Sequence, residues 1–393
     1  MRLLLIVDSY PPDTLNAAGR MMRELADCLI EQGHEILLVA PSPSIAAKFE
    51  LVREGELSVL RARSRPAKGQ SHLARGLAEI GFPVKLWSAL SQTDWMRNSV
   101  DGVVWYSPSI FFGPLVAWIK WRYRAHAYLI LRDIFPNWAL ETGTIKRGVV
   151  ALALRAIAEL QYLVADTIGI QAEKDGDYLS HLPPEKIQVL PNWVSKSREA
   201  ISPPDWMQER WFTDNEIIVM GGALGPAQDP DVILRLASRL KARPTAIILI
   251  VGDGDRSAFF EESRRLGLEN IVIKPGLDGP DFDLLLAKAK LGLISLHPDL
   301  RTQNVPGRFL SHLNAGLPTV ASLNKNSQLF ELFQQSQCGI AIASGDDDGF
   351  YEAAIRVLDH PKEREFLAAN AKLLAKRFQP AEAARSILNR LGP

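Results

Sequence analysis

Ile217-Ile218-Val219-Met220-Gly221-Gly222-Ala223-Leu224-Gly225 runs from an apolar strand straight into a glycine-punctuated turn. Helical periodicity follows through Leu240, and a second apolar run, Ile247-Ile248-Leu249-Ile250-Val251, ends in Gly252-Asp253-Gly254. This is a strand, turn, helix and strand whose backbone suits phosphate at the helix start. The same pattern opens the chain: Leu3-Leu4-Leu5-Ile6-Val7, then Asn16-Ala17-Ala18-Gly19-Arg20, a helix through Leu29, and Gly33-His34 leading into Ile36-Leu37-Leu38-Val39. Two such openings predict two doubly wound α/β domains, with a cleft between them as the place for a nucleotide and a second substrate.

Short apolar runs alternate with helical periodicity along the rest of the chain, the pattern of parallel sheets. In a first domain, residues 1–194, further strands are expected near 57–61, 102–105, 127–131, 167–170 and 187–190. The polar stretch 195–215, which carries Pro203-Pro204 and shows no clear period, reads as a linker. A second domain, 216–375, is expected to have strands near 217–220, 247–251, 271–273, 291–296, 319–321 and 339–342. The segment 376–393 reads as a helix, interrupted near Gln379-Pro380, that packs back across the domain boundary.

With 393 residues and 47% hydrophobic composition, the chain is long enough for two packed cores. Its 45 basic and 45 acidic residues cancel, which excludes a general polyanion binder and gives no reason to expect nucleic acid as a partner. The distribution is uneven. Arg61 to Arg132 contains 11 Lys or Arg against Glu79, Asp94 and Asp101, interleaved with aromatic residues such as Trp87, Trp105, Phe111, Phe112 and Trp121. Such a stretch suits an anionic membrane face or a lipid pyrophosphate; equally, the aromatics belong to the core and the charges solvate a helix face. Cys28 and Cys338 are the only cysteines, so there is neither a disulfide framework nor metal-ligand spacing, and a reducing cytoplasm is the expected location. Asp8 and Pro11-Pro12 interrupt the first apolar run, which reads as a buried strand rather than a signal peptide. Any membrane contact is expected to be peripheral, at the inner face of the cell membrane.

Three motifs carry chemistry. Gly252-Asp253-Gly254 after a strand serves either a phosphate or a tight turn. Asn304-Val305-Pro306-Gly307-Arg308-Phe309-Leu310-Ser311-His312-Leu313-Asn314-Ala315-Gly316 crosses a loop, starts a helix after Pro306-Gly307 and stops it at Gly316. Amides at that helix start, with the charge of Arg308, suit a diphosphate; the alternative is an ordinary loop with Arg308 in water. Arg132-Asp133 closes a strand, where Asp133 either accepts or orients the proton of an acceptor hydroxyl or caps the turn before Phe135-Pro136. The seven histidines form no metal-ligand pattern, and no metal site is expected.

Taken in order, these pieces resemble the retaining GT-B glycosyltransferases of family four, in particular the bacterial O-antigen, colanic-acid and exopolysaccharide branch. The likeness rests on Ala17-Ala18-Gly19-Arg20 with Gly33-His34-Glu35, on Arg132-Asp133-Ile134-Phe135-Pro136, and on Glu185-Lys186-Ile187 through Pro191-Asn192-Trp193. It continues through Gly222-Ala223-Leu224-Gly225-Pro226-Ala227-Gln228 and Pro306 to Pro318. The resemblance implies transfer of a sugar from a nucleotide-diphosphate donor to a glycan or lipid-linked acceptor, with retention of configuration and without a cofactor or required metal.

By the same resemblance, Asp133 and Arg308 are the catalytic candidates. Gly19, Gly222, Leu224, Lys274, Pro275, Gln303, Asn304, Gly307, Phe309 and Ser311 are the candidates for holding the donor, with Gly19 near its phosphates and Lys274 and Pro275 near its base. The chain departs from the family where a Glu-x7-Glu pair is usual: it has Gln303 and Ser311. Two other readings stay open: a sugar-nucleotide epimerase of GT-B shape, and a catalytically silent sugar-nucleotide-binding protein.

Overall fold

The computed structural model describes residues 1–13, 17–65, 79–107, 109–132, 134–141, 145–194, 203–222, 228–252, 257–277, 279–298 and 305–392. They form two compact units. Met1–Trp193 with Pro380–Pro393 make the first, and Val194–Gln379 the second.

The first unit is built on eight strands: β1 (Arg2–Ile6), β2 (Glu35–Ser42), β3 (Phe49–Glu54), β4 (Leu57–Arg63), β5 (Gly102–Tyr106), β6 (His126–Ile130), β7 (Thr167–Ile170) and β8 (Ile187–Val189). Their order in the sheet is β3-β4-β2-β1-β5-β6-β7-β8. Every pairing is parallel except β3 with β4, which is antiparallel. Helices α1 (Ala17–Glu31), α2 (Phe82–Leu90), α3 (Gly113–Tyr123) and α4 (Val149–Val164) connect or flank these strands.

Leu3, Leu4, Leu5 and Ile6 of β1 are all fully buried because helices cover both faces of the sheet, which is why such strands read as unbroken apolar runs. One side packs on α2, α3 and α4, and includes Leu4, Ile6, Leu86, Phe112, Leu115 and Ala158. The other side packs on α1 through Leu3, Leu5, Met22, Leu25 and Leu29.

The second unit contains β9 (Glu216–Gly221), β10 (Ala246–Val251), β11 (Ile271–Lys274), β12 (Leu291–Ser295), β13 (Thr319–Leu323) and β14 (Gly339–Ala343), ordered β11-β10-β9-β12-β13-β14. All of these pairings are parallel. Helices α5 (Pro230–Leu240), α6 (Ser257–Arg265), α7 (Gly279–Lys288), α8 (Gly307–Ala315), α9 (Gln328–Ser336), α10 (Asp347–Asp359) and α11 (Pro361–Ala375) surround the sheet. Local chemistry sets their ends. Asp229 accepts the amide of Val232 at 3.4 Å, and Pro230 stands in the first turn of α5, where no amide is needed. Gly316 ends α8 with φ +67, a left-handed conformation that glycine adopts without strain.

A last helix, α12 (Pro380–Leu391), belongs to the first unit. Ala383, Ala384, Ile387 and Leu391 are buried beside α1 and β1. Burial of Ile387 and Leu391 stabilises the unit by about 1.5–3 kcal/mol each. Gly102 makes room: a Cβ there would lie 2.9 Å from Leu3 and 3.3 Å from Leu391.

Three segments differ from the sequence expectation. Residues 205–213, read as linker, fold as two short helical turns, Asp205–Gln208 and Arg210–Thr213, which bury Met207 and Phe212 in the second unit's core. An antiparallel edge strand, β3, stands where none was expected. The basic and aromatic stretch from Arg61 to Arg132 is not one continuous surface. Arg61 is buried against Glu54 at 2.6 Å, Arg132 is buried, and Trp105, Phe111 and Phe112 lie in the core, whereas Trp87 and Trp121 are exposed. Lys68 and Arg75 lie outside the described residues.

Candidate functional site

In the second unit, β9 and β12 are adjacent but distant in sequence, so the chain reverses its winding direction between them. Loops at the carboxyl ends of such strands splay apart and leave a crevice, where open parallel sheets bind ligands. Gly221-Gly222 ends β9, and α8 enters beyond β12 with Gly307 and Arg308 in its first turn.

Gly222 adopts φ +90, and a Cβ placed on it would come 3.1 Å from Nη2 of Arg308. The guanidinium therefore lies directly against the backbone at the end of β9. Gly252, at the end of β10, is closer still to this turn: its Cβ would fall 2.2 Å from the Gly222 carbonyl oxygen. The Gly252 amide donates to the Lys274 carbonyl at 3.4 Å, and Val251 pairs with Lys274 in register. Arg308, Gly222, Gly252 and Lys274 thus form one continuous line across the ends of three strands and a helix.

Arg308 is largely buried, and loss of hydration lowers its pKa to about 10, so it remains a cation at neutral pH. A cation in a partly dry site at the start of a helix favours an anion there twice over, through its own charge and through the helix dipole. The amide of Phe309 donates to Pro306 at 2.9 Å, and the Phe309 ring is buried against Phe333 with centroids 5.0 Å apart. Phe309 therefore anchors the helix in the core. Ser311 donates from its hydroxyl to the Gly307 carbonyl at 3.4 Å and is buried.

His312, one turn after Arg308, is completely buried, and its Nδ1 lies 3.0 Å from Oγ1 of Thr319. The Thr319 hydroxyl donates to the Leu317 carbonyl at 3.3 Å, so it accepts from His312 Nδ1. Burial, reinforced by the charge of Arg308, pushes the imidazole pKa down to about 3 and keeps the ring neutral. Gly292 on β12 accommodates it, since a Cβ there would lie 2.5 Å from Nδ1.

Lys274 carries its ammonium 5.5 Å from the ring centre of Trp206 and 5.4 Å from that of Trp211. The two indoles stack on each other at 5.8 Å. These tryptophans were invisible as site neighbours because their segment reads as linker. An aromatic pair followed three strands later by a lysine at a strand end is the only trace in the sequence. Pro275 follows Lys274 and is exposed. Leu224, Gln303 and Asn304 lie outside the described residues.

In the first unit, Gly19 lies buried in the first turn of α1. Arg132 is buried beyond β6 and donates to the carbonyls of Leu190 at 2.8 Å and Pro191 at 3.4 Å, with Trp193 5.6 Å from its guanidinium. It ties the end of β6 to the segment following β8. Asp133, its neighbour, lies outside the described residues.

Residues 215–360 match the family described as glycosyl transferases group 1. No curated protein sequence matches the chain. Among solved structures, the chain is similar to an α,α-trehalose-phosphate synthase (UDP-forming) from Burkholderia vietnamiensis, with TM-score 0.73, 11% identity, and coverage of 100% of this chain and 99% of the other. It is also similar to WaaG, a glycosyltransferase involved in lipopolysaccharide biosynthesis, with TM-score 0.64, 17% identity, and coverage of 98% and 99%. HepE from Anabaena in complex with UDP-glucose gives TM-score 0.67, 16% identity, and coverage of 100% and 99%. The fold is GT-B, with two doubly wound parallel-sheet domains.

Proposed function

We propose that this GT-B chain is a retaining glycosyltransferase that moves a sugar from a nucleotide-diphosphate donor to a glycan or lipid-linked acceptor, in cell-surface polysaccharide synthesis. One observation carries the reading: Arg308 lies against Gly222 at the switch point of the second sheet, inside the segment that matches glycosyl transferases group 1. In this reading the second unit holds the donor. Departure of the nucleoside diphosphate leaves negative charge on its oxygens, which the guanidinium of Arg308 and the amides of Gly307 and Arg308 stabilise. Gly222 lets the backbone approach the phosphates, Lys274 and Pro275 lie beside the base, and Gln303, Asn304 and Ser311 serve the sugar hydroxyls. Leu224 lies beside the donor, Phe309 holds the start of the helix from within the core, and Gly19 is the first domain's candidate for the phosphates. Asp133 accepts or orients the proton of the attacking hydroxyl. The enzyme works in the cytoplasm, in peripheral contact with the anionic inner face of the membrane.

The test is release of nucleoside diphosphate from a panel of nucleotide sugars, with and without a lipid-linked glycan acceptor. Acceptor-dependent release supports transfer, and donor conversion without an acceptor supports an epimerase. A second reading, a silent sugar-nucleotide-binding protein, is favoured by Ser311, whose hydroxyl points back to Gly307 and stands where an acid is usual in the resembling family. Saturable donor binding with no turnover on any acceptor would select it.

A further inference from the structure

Helix α4 is apolar on both faces. Inwardly, Leu154, Ala158 and Tyr162 pack on the core of the first unit. Outwardly, Val149, Leu152, Ala156, Leu160 and Leu163 fall three or four residues apart, with Ala153 beside them, and form one stripe, about 20 Å long at 1.5 Å per residue. Val149 is 84% exposed, Leu152 68% and Leu163 65%. An ordinary surface helix puts charge on that face; a contiguous apolar stripe of this length marks an interaction surface. Trp121 of α3, 78% exposed, and Trp87 of α2 extend the apolar character across neighbouring helices that pack side by side.

The charges around the stripe are predominantly basic. Lys146 and Arg147 precede α4, Arg155 lies within it, and Lys85, Arg122 and Arg124 belong to α2, α3 and the end of α3. Across the three helices the single acid is Glu159, which lies 2.8 Å from His181. Asp166, just beyond α4, is bound to Lys120 at 2.5 Å.

We propose that the outward stripe of α4, with its ring of bases, is the surface by which the chain rests on an anionic lipid leaflet. This rests on the peripheral membrane contact proposed above and assigns it to α4, outside the Arg61 to Arg132 stretch that the sequence singles out. Apolar side chains enter the boundary between headgroups and acyl chains while the bases meet lipid phosphates, and the two contributions add. Among the described residues no helix is long and apolar enough to cross a membrane, so the geometry is that of a helix lying in the plane. A second copy of the chain fits less well, because a two-fold contact would bring two copies of the same predominantly basic surface together.

The test is flotation of the full chain with vesicles of phosphatidylcholine alone and of phosphatidylcholine mixed with phosphatidylglycerol. The expected result is binding only to the anionic vesicles, weakened by salt. The paired change Leu152→Glu with Leu160→Glu lowers binding at least about tenfold at an unchanged unfolding temperature. If the Glu pair lowers that temperature, the Leu152→Ser and Leu160→Ser pair is read in the same way. Wild-type protein that stays with neither vesicle overturns both the membrane contact and its assignment to α4. Wild-type and paired variant that float equally overturn only the assignment. Concentration-dependent self-association abolished by the Leu changes, without vesicle binding, replaces the lipid by a second copy.

Discussion

The guanidinium of Arg308 and the backbone of Gly222 are in contact, so closely that a single added methyl at Gly222 would lie 3.1 Å from Nη2. The residue that supplies charge to the candidate site and the glycine that ends β9 are therefore constrained together. Gly222→Ala both strains a backbone at φ +90 and displaces the guanidinium. The expected cost is about 1–3 kcal/mol of stability, together with weaker nucleotide binding. Urea unfolding and nucleotide titration measure the two; wild-type values in both would remove this contact from the site.

For Arg308→Ala, the expected outcome is a loss of nucleoside-diphosphate affinity of at least about tenfold with the fold retained. Arg308→Lys keeps the charge but not the planar fork, and recovers only part of it. Calorimetric titration with UDP and GDP decides; equal affinities in all three proteins would show that the diphosphate binds elsewhere.

His312 makes stability depend on pH. Its folded pKa is about 3 against an ordinary value of 6.5, so the unfolded chain takes up a proton that the folded chain refuses. Its contribution is complete above pH 6.5 and is lost as pH falls toward 3, at up to about 1.4 kcal/mol per pH unit. Denaturant midpoints across this range should slope less in His312→Gln than in wild type. Identical slopes would mean that His312 protonates in the folded state without penalty.

Glu216 titrates in a lower window. Burial alone would raise its pKa, but hydrogen bonds from Arg243 at 2.6 Å and Lys290 at 2.9 Å outweigh burial and hold it at about 2, against 4.5. The stability it supplies is present above pH 4.5 and is lost as pH falls toward 2. Glu216→Gln should cost about 1–3 kcal/mol at pH 7 and nearly nothing at pH 2. Thermal unfolding at the two pH values checks this, and an equal cost at both would point to packing instead of charge.

The parallel sheets were legible because strands such as β1 and β10 are buried on both faces and leave unbroken apolar runs. β3 was not: Phe49–Glu54 lies at the sheet edge with no fully buried side chain, so nothing forces a strong alternation. α4 also escaped notice, because a helix apolar on both faces lacks the contrast that reveals helical period. In the candidate site, Arg308 was legible from its place between a strand and a helix start. The close approach of Gly252 to Gly222 depends on the pairing of β9 with β10, and the stacking of Trp206 and Trp211 beside Lys274 depends on how residues 205–213 fold back. No local pattern encodes either.

The position of α12 orders events during synthesis. Its buried face completes the packing around Leu3 and α1, yet the ribosome makes it only after the whole second unit. The first unit, though its sheet is made first, keeps an uncovered strip of apolar surface until Pro380–Leu391 is made. The half whose sheet is made first receives its covering helix only after the other half's sheet has been made.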